Sequence, residues 1–215
     1  MPTRFATLLL AVSAVLRAQP AKLPPDVDPR SYSRLPLVQR GELDANGQRV
    51  YDQFNPKDQA TPRLGPTAAL LYSPEVAEPF EKLNDAERKT TAGTHYFEIC
   101  TLIAAREFDQ QYVWSAHELN AQRAGVEQRI IAAIKFDRGV EDLPEKDAVL
   151  IRFGRDLFRA HKVSSPLYAQ MVELFGKRGL VELTVILGDY AMTSLVLNAV
   201  DQQLPPGRKA LLPEK

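Results

Sequence analysis

Residues 98–125 have the sequence EICTLIAAREFDQQYVWSAHELNAQRAG, which predicts two consecutive helices. The opening of this stretch is apolar on nearly every side, as expected of a buried helix. Asp109 interrupts the apolar pattern and can cap the free N–H groups of a second helix that begins at Gln110. Gly125 follows the last turn of that helix, at a position where glycine commonly ends one. The stretch therefore predicts a helical hairpin.

Two residues of this hairpin could carry acid/base chemistry. Glu98 lies in the apolar part, where an ionised carboxylate is costly unless it is paired or its pKa is raised. His117 follows nineteen residues later, about 28 Å away along one straight helix. Folding at Asp109 can instead bring the two side chains together, so that Glu98 orients His117 for proton transfer. Structural roles stay open: a hydrogen-bonded helical histidine, and a glutamate paired with an arginine at a subunit seam.

One face of the second helix combines unusual side chains. Gln110, Trp114 and His117 occur at i, i+4 and i+7, so they share that face. An amide, an indole and an imidazole together are unusual for a plain core. We therefore assign Gln110 and Trp114 to the wall of a substrate pocket.

No metal site and no cofactor are predicted. The chain has three histidines, which are scattered, and it has no Cys-x-x-Cys motif. His117-Glu118 begins like the helix motif of zinc proteases, but Ala121 stands where the second histidine is required. No phosphate-binding glycine-rich loop is present either.

The distribution of proline divides the chain. Proline is frequent between Pro20 and Pro79 and rare between residues 80 and 204. Because proline is excluded from helix interiors, we predict a Pro-rich, extended and wrapping segment with short helices over residues 22–66. An all-α domain should follow over residues 67–204, with a C-terminal arm over 205–215. No stretch shows the sustained alternation of a β-strand.

Start and stop signals place the remaining helices of the domain. Capping residues, first-turn prolines and terminal glycines mark most of their ends. The predicted helices cover residues 74–91 with a kink at Pro79, 93–107, 110–125, 127–135, 144–160, 164–175 and 180–200.

The N-terminus differs from the rest of the chain. Residues 5–16 carry no charge and follow Arg4. They are too few to span a bilayer, which takes about 20 apolar residues. The pattern favours a signal peptide over residues 1–21, export to the periplasm, and no membrane span in the mature chain. The alternative is an N-terminal helix that docks on the domain, in which case the protein would stay in the cytoplasm.

Composition limits the possible functions. Lys+Arg and Asp+Glu both total 27, so the chain lacks the basic field that nucleic acid binding requires. Cys100 is the single cysteine, which excludes an intrachain disulfide. Its apolar neighbours indicate a buried small hydrophobe rather than a nucleophile.

Several motifs resemble the carboxymuconolactone decarboxylase and alkyl hydroperoxidase D-like family. They are the spacing of Glu98 to His117, the sequence YVWSAHE over residues 112–118, and GLVEL over 179–183. The resemblance covers about residues 40–204 and implies an all-α bundle that assembles as trimers or hexamers. In the family's peroxidase branch a Cys-x-x-Cys pair precedes the histidine, and here Gln110 and Val113 occupy those positions. A single thiol cannot form that redox pair.

The resemblance to the branch without the cysteine pair implies an acid/base enzyme that needs no cofactor. Such an enzyme would carry out decarboxylation or related lyase chemistry on a small carboxylated lactone or organic acid. His117 would be the general acid or base, and Glu98 would orient it. Two alternatives remain: an exported, non-catalytic oligomer that binds a small molecule, and peroxiredoxin-type reduction of peroxide, which would need a thiol partner for Cys100.

Overall fold

The computed structural model describes residues 23–56 and 62–214, and the predicted signal segment over 1–21 lies outside this part. Within the described ranges the regular elements are helices, with no strand, as the all-α prediction requires. A 3₁₀ turn, Arg40–Glu42, precedes the helices α1 Ala45–Phe54, α2 Pro66–Leu70, α3 Pro74–Glu87, α4 Gly93–Glu107, α5 Gln111–Arg123, α6 Gln128–Lys135, α7 Glu145–Arg159 and α8 Ser165–Ala199.

Helix α4 is the centre of the domain. It packs against α5, α6, α7 and α8, and all its residues from Phe97 to Arg106 are buried. This explains why its sequence is apolar on every side. Each fully buried side chain such as Ile99 or Leu102 contributes about 1.5–3 kcal/mol relative to an exposed one. The packing fixes the position of α4, and with it the position of Glu98.

The turn between α4 and α5 makes the hairpin, but its cap differs from the prediction. Asp109 has φ 49°, and the Gln110 N–H donates to the Ala105 carbonyl at 2.8 Å, which closes the end of α4. The N-cap of α5 is therefore Gln110, whose side chain accepts from the Tyr112 N–H at 2.7 Å. The prediction that Asp109 caps α5 is wrong, because its left-handed backbone ends the preceding helix.

Helix α8 consists of two helical segments that meet at Gly176, where φ is 69° and ψ is 169°. The sequence predicted two helices here, separated slightly further along, before Leu180. Among the described helices α8 alone is long and apolar enough to cross a membrane. Half of its most apolar window is buried, however, and it packs against α4 and α7, as a core helix does.

The two ends of the described chain lie against the helical domain. Near the N-terminal end, helices α1 and α3 pack together around a small hydrophobic core, separate from the main one, that includes Val50 and Phe54. The Arg34 N–H donates to the carbonyl of Val200, the residue that follows α8, at 2.7 Å. In the C-terminal arm Leu212 is buried, and its N–H donates to Gln111 at 2.9 Å.

Gln110→Ala should destabilise the protein by about 1–2 kcal/mol, because it removes a helix cap and a buried hydrogen bond. Urea unfolding followed by circular dichroism measures this free energy. Gln122→Ala, at an exposed position of the same helix, is the control and should change stability by less than about 0.5 kcal/mol. Equal effects of the two substitutions would contradict the capping role of Gln110.

Candidate active site

The α4–α5 hairpin brings Glu98 and His117 into contact. His117 Nδ1 lies 2.8 Å from Glu98 Oε2, which confirms the prediction that the hairpin joins them. The side chains are 12% and 3% exposed, respectively. An ionised carboxylate can only accept, so the hydrogen bond places the imidazole proton on Nδ1. The other ring nitrogen, Nε2, is then left to exchange a proton with a ligand.

Aromatic side chains hold the imidazole of His117 in place. The ring of Tyr190, from α8, meets it edge-on with the ring centroids 5.0 Å apart. The ring of Phe97, from α4, lies on another side at 6.4 Å. Three helices thus fix the orientation of His117, which favours a defined proton-transfer geometry.

A cavity of about 300 Å³ opens beside His117. This volume is at the lower end of the range for small-molecule sites. Segments from α2, α3, α5 and α8 surround it. Its apolar wall comes from Pro66, Phe80, Val113 and Ala116. Its polar wall comes from Arg63, Thr67, Glu81, Asn84, Asp85, Arg88, Tyr112, His117, Tyr190 and Thr193.

Trp114 does not line this cavity, contrary to the prediction. Its side chain is fully buried in the core, and its indole N–H donates to Glu118. Lys135 completes this group through a 2.7 Å ion pair with Glu118. The face of α5 that carries Trp114 therefore points into the protein, whereas the adjoining face with Val113 points into the cavity.

Gln110 is likewise not part of the cavity wall. Besides capping α5, it donates from Nε2 to Asn198 Oδ1 at 2.7 Å and is 3% exposed. It lies about two turns before His117, at the N-terminal end of α5. The substrate-pocket assignment of Gln110 is corrected to a structural role.

Tyr190, Arg88 and Asn84 are polar residues of the site that the sequence analysis missed. Burial raises the pKa of Tyr190 to about 12, so its hydroxyl stays protonated. Arg88 Nη2 and Asn84 Nδ2 each lie 3.5 Å from that hydroxyl oxygen. No local motif marks these residues, because the cavity forms only when α3 packs beside α8.

Two carboxyl groups, Glu87 and Asp189, are buried where α3 meets α8. They are 3% and 4% exposed, and their oxygens form no well-aligned hydrogen bond within residues 23–56 and 62–214, although the Asn84 side chain is a neighbouring donor to Asp189. Burial, and then the charge of Asp189, raises the pKa of Glu87 to about 8. Two carboxyl groups can form a hydrogen bond with each other only when one is protonated. The pair therefore shares one proton at neutral pH, and Glu87 carries most of it.

Cys100 is fully buried, as predicted from its apolar neighbours. Its thiol faces the carbonyl of Leu183 at 3.7 Å. Burial and the nearby Glu87 raise the pKa of the thiol far above its usual range, so the reactive thiolate does not form at neutral pH. Cys100 also does not line the cavity beside His117.

Comparison with known proteins gives structural neighbours only. No family model matches the chain, and no curated protein matches it. An uncharacterised peroxidase-related protein from Ralstonia eutropha JMP134, described as an alkylhydroperoxidase AhpD core, superimposes with a TM-score of 0.64 at 14% identity. The match covers 82% of this chain and 93% of that one. This chain has the AhpD-core fold.

Two other solved structures also superimpose on this chain. An uncharacterised peroxidase-related protein from Silicibacter sp. TM1040 has a TM-score of 0.63 at 13% identity, and the match covers 82% of this chain and 93% of that one. The debrominase Bmp8 has a TM-score of 0.60 at 14% identity, covering 81% and 92%. At these identities the likeness establishes the fold, and the chemistry has to be inferred from the site.

The shared proton of Glu87 makes stability depend on pH. The folded-state pKa of about 8 lies above the ordinary value of 4.5, so the stability from the protonated group is complete below pH 4.5 and lost as the pH rises through 8. Glu87→Gln, which cannot ionise, should lose less thermal stability than wild type between pH 6 and pH 9. Calorimetric melting temperatures across this range measure the difference.

Glu173→Gln is the matched control, because Glu173 is exposed. Its melting temperature should follow the wild-type pH profile. A Glu87→Gln profile parallel to that of wild type would show that Glu87 does not bind the proton.

Proposed function

We propose that this protein is an acid/base enzyme that moves a proton on a small organic molecule bound beside His117. One observation carries the proposal: His117 lines the cavity while Glu98, buried beneath it, engages Nδ1. Nε2 can then take or give a proton, and the Glu98 carboxylate stabilises the imidazolium that forms. Positioned general acid/base catalysis contributes about 10²–10⁴-fold in rate.

The reaction class we propose is decarboxylation, or a related lyase reaction, of a small carboxylated lactone or organic acid. When the bond to the carboxylate breaks, its electron pair stays on the substrate carbon and CO₂ leaves. That carbon then takes a proton from Nε2 of the His117 imidazolium, which leaves the neutral imidazole with its Nδ1 proton on Glu98. One proton taken up from solvent restores the imidazolium, so the overall reaction replaces the carboxylate with a proton and releases CO₂. The resemblance of the Glu98–His117 spacing to the family, together with the missing Cys-x-x-Cys pair, supports this class, as does the positively charged Arg88 in the cavity wall.

Thiol-based peroxide reduction has little support. It requires an accessible thiolate, whereas Cys100 is buried and its pKa is raised. Val113, at one of the positions that the peroxidase branch gives to cysteine, contributes an apolar wall to the cavity. Non-catalytic binding of a small molecule is the second candidate, because the same cavity would serve it without turnover.

We also propose that the chain forms a homo-oligomer, as a trimer or hexamer. Helix α8 exposes an apolar stripe of Val181, Val185, Met192 and Leu195, which are 58%, 40%, 38% and 55% exposed. Their spacing places them on one side of the helix, and exposed apolar patches of this kind mark interaction surfaces. Export to the periplasm, which rests on residues 1–21, stays a prediction.

His117→Ala should lower the rate of CO₂ release from a responsive carboxylated lactone by at least about 100-fold, since it removes the proton donor. The assay is coupled CO₂ detection over a panel of small carboxylated lactones and unsaturated acids. His161→Ala replaces an exposed histidine outside the cavity and should keep the wild-type rate. Circular dichroism establishes that both variants are folded.

Turnover that survives in folded His117→Ala would contradict the proposed mechanism. Absence of CO₂ release across the panel, with ligands nevertheless bound in the cavity, would favour the non-catalytic binding function instead.

A further inference from the structure

We infer that Arg88 and Tyr190 form an anion subsite in the cavity, which binds a carboxylate of the ligand. A role of this subsite in catalysis rests on the proposed function, whereas its binding of a carboxylate does not. The ligand class that it favours is a small, flat, unsaturated or aromatic carboxylic acid.

Tyr190 offers a hydrogen bond that the protein leaves unused. Its hydroxyl oxygen lies near two donors, Asn84 Nδ2 and Arg88 Nη2, both at 3.5 Å. The phenolic proton must therefore point elsewhere, and within residues 23–56 and 62–214 it has no acceptor among the hydrogen bonds formed. Tyr190 is 4% exposed and lines the cavity. A buried donor without an acceptor is rare, and a ligand oxygen would satisfy it.

Arg88 offers the charge that a carboxylate needs. Its guanidinium lies over the Phe97 ring, 4.9 Å from the centroid, and Nε donates to Asn84 Oδ1 at 3.2 Å. These contacts orient the guanidinium, yet no carboxylate of the described residues forms an ion pair with it. Arg63, in the same wall, differs because it is paired with Glu81 at 3.1 Å. Arginine binds carboxylates through a planar fork of donors, so Arg88 is suited to this role.

Negative charges near Arg88 weaken the affinity of the subsite for an anion. The Glu87–Asp189 pair behind it carries one charge rather than two at neutral pH, because it shares a proton. Asp85 also lines the cavity and would repel a bound anion. Removing the charge of Asp85 and removing that of Arg88 should therefore change anion affinity in opposite directions.

The position of the subsite relates it to His117. The Tyr190 ring lies edge-on to the imidazole, with the centroids 5.0 Å apart. A carboxylate held by the Tyr190 hydroxyl and Arg88 would direct its carbon skeleton along this ring towards His117. Phe80 and Val113 supply apolar surface for the rest of the molecule. This arrangement selects a carboxylic acid with a short, flat skeleton.

Benzoate and benzamide test the subsite, because they share a shape and differ in charge. Isothermal titration should show that the wild-type protein binds benzoate about tenfold more tightly than benzamide. Arg88→Gln should weaken benzoate binding about tenfold and leave benzamide binding unchanged. Tyr190→Phe, which keeps the ring, should weaken benzoate binding severalfold, and Asp85→Asn should strengthen it about twofold. Arg152→Gln removes an exposed charge on α7 and is the control.

Equal affinities for benzoate and benzamide, or no binding of benzoate to the wild-type protein, would overturn the subsite. So would a benzoate affinity that Arg88→Gln leaves unchanged. The same titration on His117→Ala separates this inference from the proposed function. A preference for benzoate that persists in His117→Ala supports the subsite whether or not the wild-type protein releases CO₂, whereas its loss there would assign the preference to the imidazole.

Discussion

The hydrogen bond between Glu98 and His117 is the interaction on which the site depends. Helix α4 is buried on every side, and an isolated carboxylate in such surroundings costs several kcal/mol. The antiparallel return of α5 places an imidazole against that carboxylate at 2.8 Å. This pairing holds α5 against α4, and the neighbouring helices then place Val113 at the cavity and Trp114 in the core.

The contact between α3 and α8 supplies the remaining walls of the cavity beside the α4–α5 hairpin. From α8 comes Tyr190, which packs against the imidazole, and the end of α3 supplies Arg88. Beneath them Glu87 and Asp189 are buried together and share a proton. Buried polar groups of this kind reduce stability, and they concentrate at functional sites. Their position against the cavity wall fits that pattern.

The sequence predicted the helices of the domain from residue 74 onward and the meeting of Glu98 with His117, since both follow from local patterns, whereas the short α2 was not predicted. Apolar periodicity marks the helices, and one interruption at residue 109 makes the hairpin. The pocket wall was predicted wrongly, because Trp114 and Val113 both lie within a turn of His117 and only the packed neighbours decide which one faces the core. Arg88 and Tyr190 could not be found, because their contact joins residues about a hundred positions apart. Asp109 failed as a cap because its backbone closes α4.

Measuring the tautomer of His117 most directly tests the claim that Glu98 holds the Nδ1 proton and leaves Nε2 free for acid/base chemistry. Two-dimensional NMR that correlates the imidazole nitrogens with the ring protons shows which nitrogen is protonated when the ring is neutral. A proton on Nδ1, held by Glu98, and a bare Nε2 is the predicted result, whereas His161, which is exposed, should show the tautomer mixture set by water. A neutral His117 with its proton on Nε2 would contradict the Glu98 hydrogen bond and the acid/base site built on it.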